Sequence, residues 1–115
     1  MTWITHLGAI LCVGMIAAGQ VLFKMVALSI KGSGTVLSRE IFFLGGTAIA
    51  IYGLATLFWI ALLREAPLGR LYPYMALSFM FVALASWAIF HEAITPGQMA
   101  GLALIVGGLI VIAVS

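Results

Sequence analysis

The sequence predicts an all-α membrane protein with four transmembrane helices. Hydrophobic residues make up 65% of the 115 positions, charged residues only 7%, and the mean hydropathy is +1.30. Soluble domains carry roughly a quarter charged residues, so this composition is typical of an integral membrane protein. The apolar residues form stretches of about 20 residues, which indicates helices rather than the short alternating strands of a membrane barrel.

Four apolar segments are long enough to cross a hydrocarbon core of about 30 Å at about 1.5 Å per residue. They run from about Trp3 to Ile30, Glu40 to Leu63, Gly69 to Phe90 and Pro96 to Val114. The connections are short, so we expect a single four-helix transmembrane domain over residues 1–115. Both chain ends would then lie on one side of the membrane, and the first and third connections on the other.

Local signals in the connections predict where helices end and begin. Residues 31–35 contain two glycines that would stop the first helix, and Ser38 can cap the second. The strongest signal precedes the fourth helix. There, Thr95 is the predicted N-cap, Pro96 occupies the first helical position, and Gln98 completes a capping box.

The start of the third segment has two interpretations. If the helix begins at Pro67, then Pro73 lies in its interior, frees the carbonyl of Gly69 and bends the segment. A broken helix end beside a cavity is one way in which transporters expose backbone to a substrate. If the helix begins near Pro73, that proline is an ordinary first-turn residue, and Arg70 with Tyr72 anchors the membrane interface.

The candidate functional residues centre on Gln20 and Lys24, which lie one turn apart on one face of the first helix. An ionisable residue inside a membrane segment costs roughly 2.5 to 3.5 kcal/mol, so it is expected to face a partner, a cavity or a substrate. Lys24 is also about 9 Å from Ile30, close enough for its ammonium to reach the interface. The functional alternative is an anion site, in which Lys24 binds a phosphate or carboxylate and Gln20 adds two donors and an acceptor.

Glu92 is the partner of Lys24 that the topology favours, since the first helix ends on the side where the third connection lies. Such a pair would keep Lys24 charged and oriented. Alternatively, Glu92 lies in water near the start of the fourth helix, where the helix dipole favours it. Tyr72, Tyr74 and Ser78 would give the start of the third segment a polar lining. The hydroxyl of Tyr52, deep in the second segment, needs a partner.

Several function classes are excluded by composition. A net charge of +2, scattered along the chain, does not indicate a nucleic-acid partner. The sequence has no metal-ligand cluster, no nucleophile paired with a base and no glycine-rich phosphate loop, and it holds only three acidic residues. We therefore expect no enzyme activity, no metal and no cofactor.

Four helices enclose little space, which favours a dimer as the working unit. Small residues four positions apart, such as Gly14 with Ala18 and Gly97 with Gly101, would let helix backbones approach closely. The basic residues near the helix ends are nearly balanced between the two sides, so orientation is weakly specified. Either two copies insert in opposite directions and pair antiparallel, or a partner subunit decides the orientation.

Motifs along nearly the whole chain resemble the short members of the drug/metabolite transporter superfamily. They are Gly19-Gln20-Val21-Leu22-Phe23-Lys24, Pro67 with Leu71-Tyr72-Pro73, Leu77-Ser78-Phe79, Glu92, and Gly101 with Ile105-Val106-Gly107-Gly108. The nearest resemblance is to the EamA-like subunits that flip aminoarabinose-phosphoundecaprenol across the bacterial inner membrane.

This resemblance implies a four-helix protomer that works as a homo- or heterodimer with a similar subunit. It would move a polyprenyl-phosphate-linked sugar between leaflets of the inner membrane. On this view Lys24 and Arg70 meet the phosphate, while Gln20, Tyr72 and Ser78 line the path of the head group.

The chain is also similar to the small multidrug resistance proteins, which share its size. Those proteins need a glutamate in the first helix, where Ile16 stands in this sequence. An amide and a cation suit an anionic ligand better than a cationic drug. Two alternatives stay open: an exporter of a small cation or metabolite that uses Glu92 instead, and a non-transporting membrane partner in which Gln20 and Lys24 only determine helix packing.

Overall fold

The computed structural model describes residues 2–34 and 38–115 of the chain, and all of its regular elements are helical. They are α1 (Trp3–Ser33), α2 (Arg39–Leu63), α3 (Leu68–Leu71), a 3-10 turn (Tyr72–Met75), α4 (Ala76–Phe90) and α5 (Pro96–Val114). Four stretches are long and apolar enough to cross a membrane: Trp3–Gly32, Arg39–Leu63, Leu68–Phe90 and Pro96–Val114. The predicted all-α fold with four membrane-spanning segments is therefore confirmed.

Two predicted helix caps are present. The hydroxyl of Ser38 accepts a hydrogen bond from the backbone N–H of Ile41 at 3.1 Å. Thr95 and Gln98 form the reciprocal capping box, with distances of 3.1 Å and 2.9 Å, and Pro96 follows at the first helical position. These caps satisfy backbone donors that the first turn of a helix leaves without intrahelical partners.

The first helix ends at Ser33, slightly beyond the predicted end near Ile30, and the second of the two predicted glycines stops it. The helix continues through Gly32 and is capped by Gly34, whose φ of 70° is left-handed and whose N–H donates to the carbonyl of Ile30 at 2.8 Å. A glycine inside a helix costs only about 1 kcal/mol and does not stop it, whereas the left-handed cap favours glycine. Thr35, the last residue of the predicted turn, lies outside the described residues.

The third segment follows the first of its two interpretations. Its helix begins directly after Pro67, so Pro73 lies in the interior of the segment and not at its start. The backbone changes there from α-helix to the 3-10 turn and returns to α-helix at Ala76. Proline has no N–H to donate and crowds the preceding turn, which accounts for the interruption.

The helices pack in the order α2, α1, α4 and α5, with α1 between α2 and α4. The resulting body is flat, measuring 49 × 36 × 17 Å. The main cluster of buried residues lies near the chain ends, where the first half of α1 meets the end of α2 and the interrupted third segment. This core consists of Ala9, Val13, Ala66, Leu71 and Tyr74. By contrast, α4 has no buried residue and α5 has only Leu109. The surfaces of α4 and α5 therefore have room for open grooves.

Contacts between distant parts of the chain agree with the predicted hairpin topology. The imidazole of His6 is hydrogen-bonded to the hydroxyl of Tyr74, and the guanidinium of Arg70 donates to the carbonyl of Ser115 at 2.7 Å. Both chain ends thus lie beside the start of the third segment. At the other end of the molecule, the late part of α1 meets the connection between α4 and α5.

Candidate functional site

Lys24 and Glu92 form an ion pair between α1 and the α4–α5 connection. The ammonium nitrogen lies 3.4 Å from one carboxylate oxygen, and the side chains are 46% and 48% exposed. The pairing that the topology favoured is therefore confirmed. Since neither charge is fully covered, both remain accessible from the surface where they meet.

The carboxylate of Glu92 is held in place by the end of α4. His91 adopts a left-handed conformation with φ of 55°, which is uncommon for a residue other than glycine. The chain turns back there, and the N–H of Glu92 donates to the carbonyl of Ser86 at 3.1 Å. In return, the hydroxyl of Ser86 donates to the second carboxylate oxygen of Glu92 at 2.5 Å.

This environment keeps Glu92 ionised at neutral pH. The hydrogen bond from Ser86 has the largest effect and, together with the nearby ammonium of Lys24, it lowers the pKa of the Glu92 carboxyl below its usual value. Partial desolvation acts in the opposite direction but is outweighed. The site therefore presents one positive and one negative charge, side by side.

The ion pair borders a polar groove between α1 and α4. This groove has a volume of about 220 Å³ and is lined by Gln20, Val21, Lys24, Val82, Ser86, Phe90 and Glu92. A second groove of about 400 Å³ continues from it along α4 and is lined by Ile16, Gln20, Ser78, Phe79, Val82, Ala83 and Ser86. Because the two share Gln20, Val82 and Ser86, they form one surface, which we call the α1–α4 groove.

Gln20 links this groove to α2. Its side-chain nitrogen donates a hydrogen bond to the hydroxyl of Tyr52, which confirms that this deep hydroxyl has a partner. The ring of Tyr52 stacks on Phe23 with a centroid distance of 5.2 Å and rests against Gly19. Gln20 thus makes the interhelical bond expected of a packing residue and also lines the groove.

Ser78 lies farther along the same groove, but its hydroxyl is engaged by the backbone. It donates to the carbonyl of Met75 at 2.6 Å, at the end of the 3-10 turn. Such bonding within one helix turn satisfies a hydroxyl locally. The contribution of Ser78 to the groove surface is therefore modest.

Arg70 and Tyr72 lie elsewhere in the molecule. The guanidinium of Arg70 contacts Ser115, and the ring of Tyr72 packs edge-on against Trp59 at 6.4 Å. The 19 residues of α5, about 28 Å of helix, separate Ser115 from the connection that contains Glu92. Within one chain, the structure therefore brings together Gln20, Lys24, Ser78 and Glu92 and leaves Arg70 and Tyr72 outside this group.

Ser86 is the site residue that the sequence prediction missed. It lies in an apolar helix, six positions before Glu92, and no linear motif joins the two. Their contact depends on the left-handed turn at His91, which the sequence did not reveal. A serine one or two turns before a helix end that is followed by an acid is a weak signal that could have suggested it.

A larger apolar groove lies on the other side of α4, facing α5. It has a volume of about 690 Å³, and its lining includes Met80, Leu84, Trp87, Met99 and Leu102. Sequence patterns did not predict it, because these residues would also suit a surface in contact with lipid.

Within residues 2–34 and 38–115, no three His, Cys, Asp or Glu side chains lie close enough together to hold a metal ion. The chemistry available in the α1–α4 groove is therefore that of an ammonium, a carboxylate, a hydroxyl and an amide. These groups can bind a charged polar ligand.

Comparison with known proteins identifies transporters. Residues 4–114 match the EamA-like transporter family. A protein of Salmonella newport (strain SL254), named probable 4-amino-4-deoxy-L-arabinose-phosphoundecaprenol flippase subunit ArnE, is 33% identical over 106 residues, covering 92% of this chain and 90% of its own. The identically named protein of Escherichia coli O157:H7 (strain EC4115 / EHEC) is 32% identical over 112 residues, covering 97% and 96%.

No solved structure matches the chain significantly. The matched family and the named relatives confirm the resemblance drawn from the sequence motifs. They also confirm that the chain is not an enzyme, because the family is one of transporters and the relatives are named as probable flippase subunits.

Proposed function

Because the chain belongs to the EamA-like transporter family, we propose that it moves a polyprenyl-phosphate-linked sugar, such as aminoarabinose-phosphoundecaprenol, between the leaflets of the bacterial inner membrane. Its place in a transporter family and its four apolar helices make it a multi-pass membrane protein. The relatives that share about a third of its residues are named as probable flippase subunits for that lipid.

The observation that carries this proposal is the half-exposed ammonium of Lys24 at the mouth of the α1–α4 groove. An ammonium is a compact charge that binds phosphate well, and the adjacent amide of Gln20 offers further hydrogen bonds to a head group. The larger part of the groove, about 400 Å³, falls in the range of about 300 to 1,000 Å³ typical of small-ligand sites. A sugar phosphate therefore fits there, while its prenyl tail stays in the bilayer.

The proposed working unit is a homodimer or a heterodimer with a similar four-helix subunit. In one chain α4 has no buried residue and α5 has only Leu109, so these two helices leave much apolar surface uncovered. In an antiparallel pair, the Arg70 end of one subunit would lie on the same membrane side as the Lys24 end of the other. Such a pair would supply both cations and the ring of Tyr72 to one head-group path.

The test is a binding titration of the purified chain in nanodiscs, with wild type and Lys24→Ala compared directly. The probes are a polyprenyl-phosphate lipid and a quaternary ammonium compound, and Lys31→Ala is the matched control because it removes another lysine of α1. We expect saturable binding of the phosphate lipid that weakens at least tenfold in Lys24→Ala and is unchanged in Lys31→Ala.

Two outcomes would redirect the interpretation. Binding of the quaternary ammonium alone, unaffected by Lys24→Ala, would refute the proposal and favour a cation exporter that uses Glu92. If neither probe binds and Lys24→Ala reduces recovery of the assembled protein, the pair of Gln20 and Lys24 serves helix packing in a non-transporting partner.

A further inference from the structure

The ion pair makes the α1–α4 groove electrically neutral, and this limits what the groove can bind. A phosphate that binds the half-exposed ammonium of Lys24 comes close to the carboxylate of Glu92, which lies 3.4 Å from that ammonium. Glu92 would then share its counter-charge with a second anion beside it. A simple anionic head group therefore binds against the repulsion of the carboxylate.

Glu92 does not depend on Lys24 for its position. Its backbone and its second carboxylate oxygen are both bonded to Ser86, and the left-handed residue His91 directs the chain into this arrangement. When Lys24 turns to a ligand, the carboxylate stays at the groove wall. The carboxylate is about half exposed, and Glu92 lines both the α1–α4 groove and a second groove between α4 and α5.

On the basis of the proposed function, we propose that Glu92 is a specificity-determining residue that binds an ammonium group on the head group while Lys24 binds its phosphate. A ligand with both charges replaces the internal ion pair by two ion pairs, so that no charge is left without a partner. A ligand with the phosphate alone leaves the carboxylate of Glu92 beside a second anion, with no added cation. The recognised chemistry is thus a phosphodiester joined to a primary amine, as in an amino sugar or an ethanolamine phospholipid.

The test compares two lipids that differ in one group: aminoarabinose-phosphoundecaprenol and the same lipid with a hydroxyl in place of the amine. Binding is measured for the full chain in phosphatidylglycerol nanodiscs, for wild type, Glu92→Gln and Glu92→Asp. Glu40→Gln is the matched control because it removes another acid on the same side of the membrane. Phosphatidylethanolamine is added in a separate arm as a competitor.

We expect wild type to bind the amine lipid roughly tenfold more tightly than the hydroxyl lipid, the scale of one charged hydrogen bond. Glu92→Gln should abolish the preference by improving binding of the hydroxyl lipid, and Glu92→Asp should retain most of it. Glu40→Gln should behave as wild type. If phosphatidylethanolamine competes as strongly as the amine lipid, the ligand of the site is a phospholipid head group that carries the same phosphate and amine.

Failure of this inference can be distinguished from failure of the proposed function. Equal binding of both lipids by wild type, unchanged in Glu92→Gln, would refute the role of Glu92 and leave the proposed function intact. Absence of binding of either lipid to wild type would overturn both. Because Glu92→Asp keeps the charge, a preference lost there as completely as in Glu92→Gln would count against a role of the charge.

Discussion

Replacing Gly19 with alanine tests how closely α1 approaches α2 beside the site. A methyl group on Gly19 would overlap the Cδ2 and Cε2 atoms of the Tyr52 ring. The ring would have to move, and it holds the hydrogen bond from Gln20 and the stacking contact with Phe23. Gly14 is the matched control, because a methyl group there has no neighbour within 4 Å.

The expected loss follows from three contributions. Overpacking of a close contact costs about 1 to 3 kcal/mol. Loss of an interhelical hydrogen bond in a membrane protein adds about 0.6 kcal/mol, whereas alanine in place of glycine favours a helix by about 0.5 to 1 kcal/mol. We therefore expect Gly19→Ala to lower the free energy of unfolding by about 1 to 3 kcal/mol. Gly14→Ala should leave it unchanged or raise it by up to about 1 kcal/mol.

The assay is reversible denaturation of the purified protein in mixed micelles of increasing dodecyl sulfate content, followed by circular dichroism. Both variants add one methyl group to the same helix, so the difference between them isolates the contact with Tyr52. Equal stabilities for Gly19→Ala and Gly14→Ala would refute the reasoning. In that case the ring of Tyr52 would not rest against α1 in the membrane.

Three further predictions concern the site, a cap and the core. The lowered pKa of Glu92 keeps its ion pair complete at neutral pH, and the pair is lost as the pH falls through that pKa. Ser86→Ala should raise the pKa of Glu92 and so move the loss of the ion pair to higher pH. An NMR titration of the carboxyl group would measure this shift, and an unchanged midpoint would contradict the prediction. Thr95→Ala should lower the free energy of unfolding by about 1 kcal/mol in the same denaturation assay, because it removes the cap of α5. A change near zero would argue against the capping box. Leu71→Ala should lower the free energy of unfolding by about 2 to 5 kcal/mol because Leu71 is fully buried. Leu104→Ala should lower it far less, because Leu104 is 78% exposed. Similar losses in the two variants would contradict the assigned core.

Much of the fold was predictable because its signals are local. The box formed by Thr95 and Gln98 involves residues three positions apart, so their spacing alone predicts it. The four segments follow from hydropathy, which depends on composition and length and not on packing. The end of α1 was less predictable, because Gly32 and Gly34 look alike in the sequence and only the latter adopts the left-handed conformation.

The candidate site was predictable only in part. The pairing of Lys24 with Glu92 followed from topology, since two hairpins place the end of α1 beside the third connection. The contact of Glu92 with Ser86 was not predictable, because it requires a left-handed residue at His91. The position of Arg70 beside Ser115 was also missed, because the family resemblance assigned both cations to one phosphate without regard to the chain that supplies each.

The sequence by itself determined that the chain spans a membrane four times, where its capped helices begin, and which few side chains could carry chemistry. These properties depend on hydropathy and on spacings of a few residues, and both are local features of the sequence. The tertiary structure decided which of the polar side chains meet. Contacts such as those between Gln20 and Tyr52 or between Lys24 and Glu92 depend on how each helix is rotated and how closely it packs. Helices that are apolar on every side encode that rotation only weakly, because almost any face suits the lipid.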